Sequence, residues 1–202
     1  MFTGIVHSTQ EIVAIDDREN FRRHTLQFPD ELIAGLVIGA SVANNGCCLT
    51  VVAIEGNRVS FDLIDETLAL TNLGQLDVGS RVNIERAAKF GDEIGGHLMS
   101  GHIACVATVE QIIERDNNLE LCLSLPEKWG RYVLEKGFVG VNGISLTVGK
   151  VDGRGFRLHI IPETIARTNI GQWQVGDAIN IEVDPQTQAV VDTVERVLAT
   201  RQ

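Results

Sequence analysis

The sequence predicts an all-β protein: two tandem Greek-key β-barrels with short helices, followed by a C-terminal α-helix. Three observations predict this. The chain repeats itself at a fixed offset, each half alternates apolar and polar residues with period two, and only the tail shows helical spacing.

The repeat comes first. Residues 42–85 align with residues 139–182 without a gap, at an offset of 97, and close to half of the positions are identical. Asn45-Gly46-Cys47-Cys48-Leu49-Thr50-Val51 lies over Asn142-Gly143-Ile144-Ser145-Leu146-Thr147-Val148. Glu66-Thr67 and Thr71-Asn72 lie over Glu163-Thr164 and Thr168-Asn169. Gly4 falls on Gly101 and Pro29 on Pro126. The division this implies is residues 1–97, residues 98–185 and a tail of residues 186–202.

Within each half, Val59, Phe61 and Leu63 alternate with polar residues, as do Phe156, Leu158 and Ile160. Val82/Ile84 and Ile179/Ile181/Val183 continue the pattern of half-buried strands. Gly56-Asn57 and Gly153-Arg154-Gly155 supply hairpin turns. Pro29–Leu36 and Pro126–Leu134 read as short helices opened by proline, and Glu66–Asn72 and Glu163–Asn169 as further helical turns. Several short strands in about 90 residues must hide their edges, and a small closed Greek-key barrel does so. From Thr187 to Arg201, Val190, Val191, Val194, Val197 and Leu198 recur at helical spacing. That stripe either packs on its own barrel or joins subunits.

Composition removes whole classes of function. Hydrophobic residues make up 44% and charged residues 22%, so the chain is not disordered. The net charge is −10 and no Lys/Arg run exceeds two residues, so neither nucleic acid nor anionic membrane is an expected partner. The opening Met1–Val6 has no leader character, and the longest mostly apolar stretch, Ile33–Ala40, is far below the ~20 residues that span a bilayer. A cytoplasmic protein is expected. The four cysteines form no C-x-x-C pair, so no metal is expected.

Three stretches hold the chemistry. Period two puts Cys48 and Thr50 on one strand face, and Ser145 and Thr147 on the equivalent face. Cys48 reads either as packing or as a nucleophile. Gly95-Gly96-His97-Leu98-Met99-Ser100-Gly101-His102 combines histidines with glycines that allow close approach. His102 reads either as a turn residue or as a proton carrier. Asp62–Thr67 and His159–Thr164 are rich in hydrogen-bonding groups suited to a polyhydroxylated or heteroaromatic ligand.

Taken together, these motifs resemble the riboflavin synthase family along essentially the whole chain. The opening Met1–Val6, both Asn-Gly signatures, Gly95–His102, Ile161-Pro162-Glu163-Thr164 and the tail Asp184–Asp192 carry the likeness. The resemblance implies dismutation of two 6,7-dimethyl-8-ribityllumazine molecules to riboflavin and 5-amino-6-(ribitylamino)pyrimidinedione, without cofactor. It also implies a homotrimer held partly by C-terminal helices, with sites between the N-barrel of one subunit and the C-barrel of another. In some lineages a lumazine synthase capsid encloses the trimer.

By position, the resemblance assigns the N-barrel site to Cys48, Leu49, Thr50, Asp62, Leu63, Ile64, Asp65, Glu66, Thr67, Gly101, His102 and Ile103. The C-barrel site takes Gly4, Ile5, Val6, Ser145, Leu146, Thr147, His159, Ile160, Ile161, Pro162, Glu163 and Thr164. Lys136 reaches a neighbouring N-barrel site. Ser41, Cys48, His102 and Ser145 are the catalytic candidates, with Cys48 in adduct formation or positioning and His102 in proton transfer. Many members carry Asp where this chain has Asn142, and an amide cannot act as a base. A non-catalytic lumazine- or flavin-binding antenna of the same fold is the alternative. Such antennae lose His102-type residues, degrade one site and lack the tail.

Overall fold

The computed structural model describes residues 1–116, 118–153 and 155–200. Arg154 of the expected second turn and Arg201 at the end of the expected helix lie outside them.

The first barrel comprises β1 (Ser8–Arg18), β2 (Phe21–Gln27), α1 (Asp30–Ile33), β3 (Ser41–Asn44), β4 (Cys47–Glu55), β5 (Arg58–Ile64), α2 (Asp65–Leu70) and β6 (Arg81–Arg86). Its strands run β1-β2-β5-β4-β3-β6, and β6 pairs back onto β1, so the barrel closes and leaves no edge. The alternation Val59, Phe61, Leu63 points inward, joined by Ile12, Leu26, Val51 and Ile84, all fully buried. Each such side chain contributes about 1.5–3 kcal/mol.

The second unit comprises β7 (Cys105–Arg115), β8 (Asn118–Ser124), β9 (Phe138–Val141), β10 (Ile144–Thr147), β11 (Val151–Asp152), β12 (Gly155–Ile160), α3 (Pro162–Arg167) and β13 (Ala178–Val183). It is a seven-stranded sheet ordered β10-β9-β13-β7-β8-β12-β11. Its two ends are halves of one broken strand, the counterpart of β4. The first barrel tolerates a bulge between Val51 and Ala53. The second has Gly149 in place of Val52, and Gly149 N–H bonds Arg157 O at 2.8 Å, where a Cβ would sit 2.7 Å from that oxygen. Glycine at a bend lets the strand break there.

The helical segments are shorter than the sequence pattern suggests. Pro29–Leu36 shrinks to α1, and Pro126–Leu134 forms the 3-10 helix Glu127–Tyr132. After α2 the chain breaks at extended Thr71 before a 3-10 turn, Asn72–Gln75. Thr71 Oγ1 donates to Thr67 O and accepts from Leu73 N–H, and Thr168 does the same between Thr164 and Ile170. A hydroxyl that serves backbone on both sides ends one helix and starts the next.

Strands β6 and β13 are buried on both faces. Their second face meets the other barrel along a seam of asparagines. Asn83 Nδ2 donates to Asn142 O and Asn169 Oδ1, and Asn180 Nδ2 to Asn45 O. Asn72 N–H donates to Asn180 Oδ1, and Asn169 N–H to Asn83 Oδ1. The Asn45-Gly46 and Asn142-Gly143 turns, all at positive φ, abut there: a Cβ on Gly46 would lie 2.7 Å from Gly143 N.

The tail forms α4 (Pro185–Ala199), capped by Asp184, which accepts from Thr187 N–H. One side docks on the second barrel: Val191 packs on its core, Tyr132 bonds Asp192, and Arg131 pairs with Glu195. Val190, Val194, Val197 and Leu198 stay exposed. One side of the helix thus packs on its own barrel, and the valine side is left open.

Candidate active site

The opening segment of each repeat crosses to the other barrel. Phe2 and Met99 form an antiparallel bridge where the two segments pass. Beyond it, Ser145 N–H donates to Gly4 O at 2.8 Å, and Cys48 N–H donates to Gly101 O at 2.8 Å. A Cβ on Gly4 would fall 2.5 Å from Ser145 Cβ, and one on Gly101 would fall 2.6 Å from Cys48 Cβ. Both glycines sit at positive φ, +75° and +81°, so no other residue fits either crossing. Core packing follows the exchange. Val6 lies in the second core, and Ile103 packs against the first.

This crossing sets the surroundings of each signature residue. Cys48 is half-buried against Phe2, Ala43 and Met99, with Thr50 exposed beside it on β4. Its neighbour Cys47 points into the core, where burial pushes its thiol up to about 12 and keeps it protonated. Leu49 is buried, so of residues 47–50 only Cys48 and Thr50 face outward. On β10, Ser145 and Leu146 are half-buried and Thr147 is exposed. Ser41 lies opposite Thr50 across the β3–β4 ladder.

The two faces differ in one pair of side chains. Ser145 Oγ lies 2.7 Å from Nδ1 of His97, whose ring stacks on Phe138 at 5.2 Å. His97 is buried, its Nε2 has no partner, and burial lowers its pKa. A Cβ on Gly96 would strike Thr3 O at 2.1 Å, so the chain must pass there as glycine. Among the described residues no histidine pairs with Cys48 in this way. His102 is exposed and lines a cavity of about 380 Å³ with Ser100, Trp129, Glu182, Pro185 and Gln188, and Cys48 is not among that cavity's lining residues.

The rim stretches divide by direction. Leu63 and Ile160 point into the cores, so they can offer a ligand only their main chain. Ile64 and Ile161 are exposed at matching positions and leave apolar side chains at the surface. Asp62 is held by Arg23 in a two-bond pair at 2.6 and 2.9 Å. Asp65, Glu66, Pro162 and Glu163 are exposed on the first turns of α2 and α3, with Thr67 and Thr164 half-buried. His159 is exposed, across the β8–β12 ladder from Glu120. Lys136 holds a positive φ of 66° where the repeat has Gly39 at 89°, and both donate N–H to the signature strand, to Val148 O and Val51 O. A lysine kept in a glycine conformation costs about 1 kcal/mol or more.

Asn142 lies in the seam, not on the outward face that carries Ser145 and Thr147. Its Oδ1 accepts from Asn72 Nδ2 at 3.0 Å and from Asn180 N–H at 2.9 Å. Those bonds need only an acceptor, which explains why Asp and Asn can both serve there. Sequence reasoning missed Glu85, Glu182 and His97. The first two are identical residues at repeat positions on the polar face of β6 and β13, which was the available signal. His97 has no repeat partner to mark it.

Among the described residues no group of three His, Cys, Asp or Glu could hold a metal, and no helix is long and apolar enough to cross a membrane.

Two barrels that exchange their opening segments match a described domain. The lumazine binding domain family matches residues 3–87 and again residues 100–184. Riboflavin synthase of Escherichia coli (strain K12) is 58% identical over 203 aligned residues, covering 100% of this chain and 95% of that protein. This chain belongs to the riboflavin synthase family. The riboflavin synthase of Buchnera aphidicola subsp. Schizaphis graminum is 44% identical across 98% of this chain and 96% of its own. Among solved structures, LumP complexed with riboflavin superposes with a TM-score of 0.86 at 30% identity, covering 91% of this chain and 100% of LumP. LumP complexed with 6,7-dimethyl-8-(1'-D-ribityl) lumazine gives 0.84 at 29% identity, covering 91% of this chain and 99% of LumP.

Proposed function

We infer that the protein is a transferase that dismutates two molecules of 6,7-dimethyl-8-ribityllumazine into riboflavin and 5-amino-6-(ribitylamino)pyrimidinedione. The observation that carries this is the 58% identity to a riboflavin synthase over the full chain. Donor and acceptor are the same molecule, so electrons balance without an outside oxidant or reductant. The hard step is holding two flat heterocycles in register, and proximity can supply much of the acceleration.

The site roles belong to this proposal. Each barrel holds one lumazine on its outward signature face: Cys48 and Thr50 on the first, Ser145 and Thr147 on the second. His102 moves a proton, and Cys48 forms an adduct or fixes the ring. Ser41 assists on the first barrel. The protein works as a cytoplasmic homotrimer, with the exposed valine face of α4 at the contact and Lys136 reaching a neighbouring N-barrel site. Association with a lumazine synthase capsid is a further expectation.

The likeness to LumP favours a second reading, binding without turnover. Two features weigh against it. The chain keeps His102 and α4, and its enzyme relatives match its full length, whereas LumP accounts for 91% of it. The test is incubation with 6,7-dimethyl-8-ribityllumazine. Two lumazines lost per riboflavin formed, over many turnovers, supports the enzyme. Tight binding without conversion supports the antenna.

A further inference from the structure

Glu182, on β13, sits almost wholly buried beneath the segment that carries His102. Its Oε1 accepts from Ser100 N–H at 2.6 Å and from Ser100 Oγ at 2.8 Å, and its Oε2 accepts from Gly101 N–H at 3.0 Å. Ser100 Oγ in turn accepts from His102 N–H at 3.1 Å. Glu85, on β6, repeats the arrangement. It accepts from Thr3 N–H at 2.6 Å, Thr3 Oγ at 2.8 Å and Gly4 N–H at 3.0 Å, and Thr3 Oγ accepts from Ile5 N–H at 3.3 Å. The same clamp thus occurs twice in one molecule.

A buried carboxylate is expensive, and burial pushes both groups up while the donated bonds pull them back. An apolar residue would fill either space at lower cost. What the carboxylate adds is a fixed acceptor for two N–H groups and a hydroxyl. Each clamp stands on one barrel and holds a segment that lies on the other: Glu182 holds Gly101 against Cys48, and Glu85 holds Gly4 against Ser145. The His102 ring makes no hydrogen bond among the described residues, so the clamp aims it through its backbone, with the charge of the Glu182 carboxylate acting beside it.

We propose that Glu182 is the positioning residue for His102, and that Glu85 does the same for the Gly4–Val6 segment at the opposite site. The proton-transfer role it serves rests on the functional reading above.

The internal repeat supplies the control. Glu182→Gln turns one acceptor oxygen into a donor facing an N–H or hydroxyl donor. It should lower kcat by about tenfold or more with little change in KM. In the His102→Ala background the same change should cost less than about twofold. Glu85→Gln should cost the same factor in both backgrounds. Equal losses from Glu182→Gln with and without His102 would overturn the proposal. If Glu182→Gln does not fold, Ser100→Ala replaces it, with a smaller loss of kcat and the same coupling. The His102 ring signal by NMR separates the two readings. If the wild type converts no lumazine, the functional reading fails, and the clamp stands only if Glu182→Gln, and not Glu85→Gln, shifts or broadens that signal.

Discussion

The two barrels share a frame and differ on their outer faces. The frame is nearly identical: the Asn-Gly turns, the asparagine seam and the Thr71/Thr168 breaks recur residue for residue, and the glutamate clamps differ only in Thr3 against Ser100. The faces diverge. The first presents a thiol with Gly101 crossing over it, and the second presents a hydroxyl held by a buried histidine. The second barrel also breaks the strand that the first keeps whole. The two copies agree in what locks the halves together and differ in the faces that the proposed function assigns to ligand. On the proposed reading, each of the two like faces holds one copy of the same molecule.

The comparison breaks most sharply at His102. His102→Ala should lower kcat by about 10²–10⁴ and leave stability unchanged, because the side chain is exposed. Ile5→Ala at the repeat position should act mainly on KM. Steady-state kinetics with thermal melting separates the two.

The seam comes next. Asn180→Ala strips bonds from Asn45 O and Asn72 N–H and should destabilise by about 3 kcal/mol in urea unfolding. Asn83→Ala strips the counterpart bonds and one more, to Asn169 Oδ1, and should match it within ~1 kcal/mol. A wide gap between them would break the claim of a shared frame.

A smaller effect lies in the cores. His24 is buried in the first barrel where the second has Leu121, and its Nε2 has no partner. Burial lowers its pKa to about 4. The unfolded chain therefore takes up the proton first as pH falls below ~6.5, and stability is lost between there and about 4. His24→Leu should stabilise by about 1–2 kcal/mol at neutral pH and flatten the acid limb of a stability–pH curve. Smallest is Lys136→Gly, which should relieve backbone strain worth ~1 kcal/mol while weakening ligand binding. Melting and riboflavin titration read the two effects apart.

Much of the fold was legible in the sequence. Val59, Phe61 and Leu63 announced an inward strand face, and the offset of 97 announced two copies. The tail valines announced a helix with a face to cover. What period two could not show is that β6 and β13 have no outside: Asn83, Glu85, Asn180 and Glu182 alternate like solvent-facing residues but face another barrel. The strand break at Gly149 was hidden, because a glycine marks a bend without giving its size. The crossing of the openings was invisible to spacing. It depends on contacts between residues about 40 to 140 positions apart, and only the family resemblance placed Gly4 with Ser145 and Gly101 with Cys48.

The central claim is that one working site pairs the unlike faces of two subunits. Complementation tests it directly. His102→Ala disables the N-barrel face, and Thr147→Trp blocks the C-barrel face at an exposed position. Each variant alone should be inactive. Refolded together in equal amounts, they should regain about a quarter of the wild-type sites, those joining an intact N-barrel to an intact C-barrel. Activity no greater than the sum of the two parents would contradict the account.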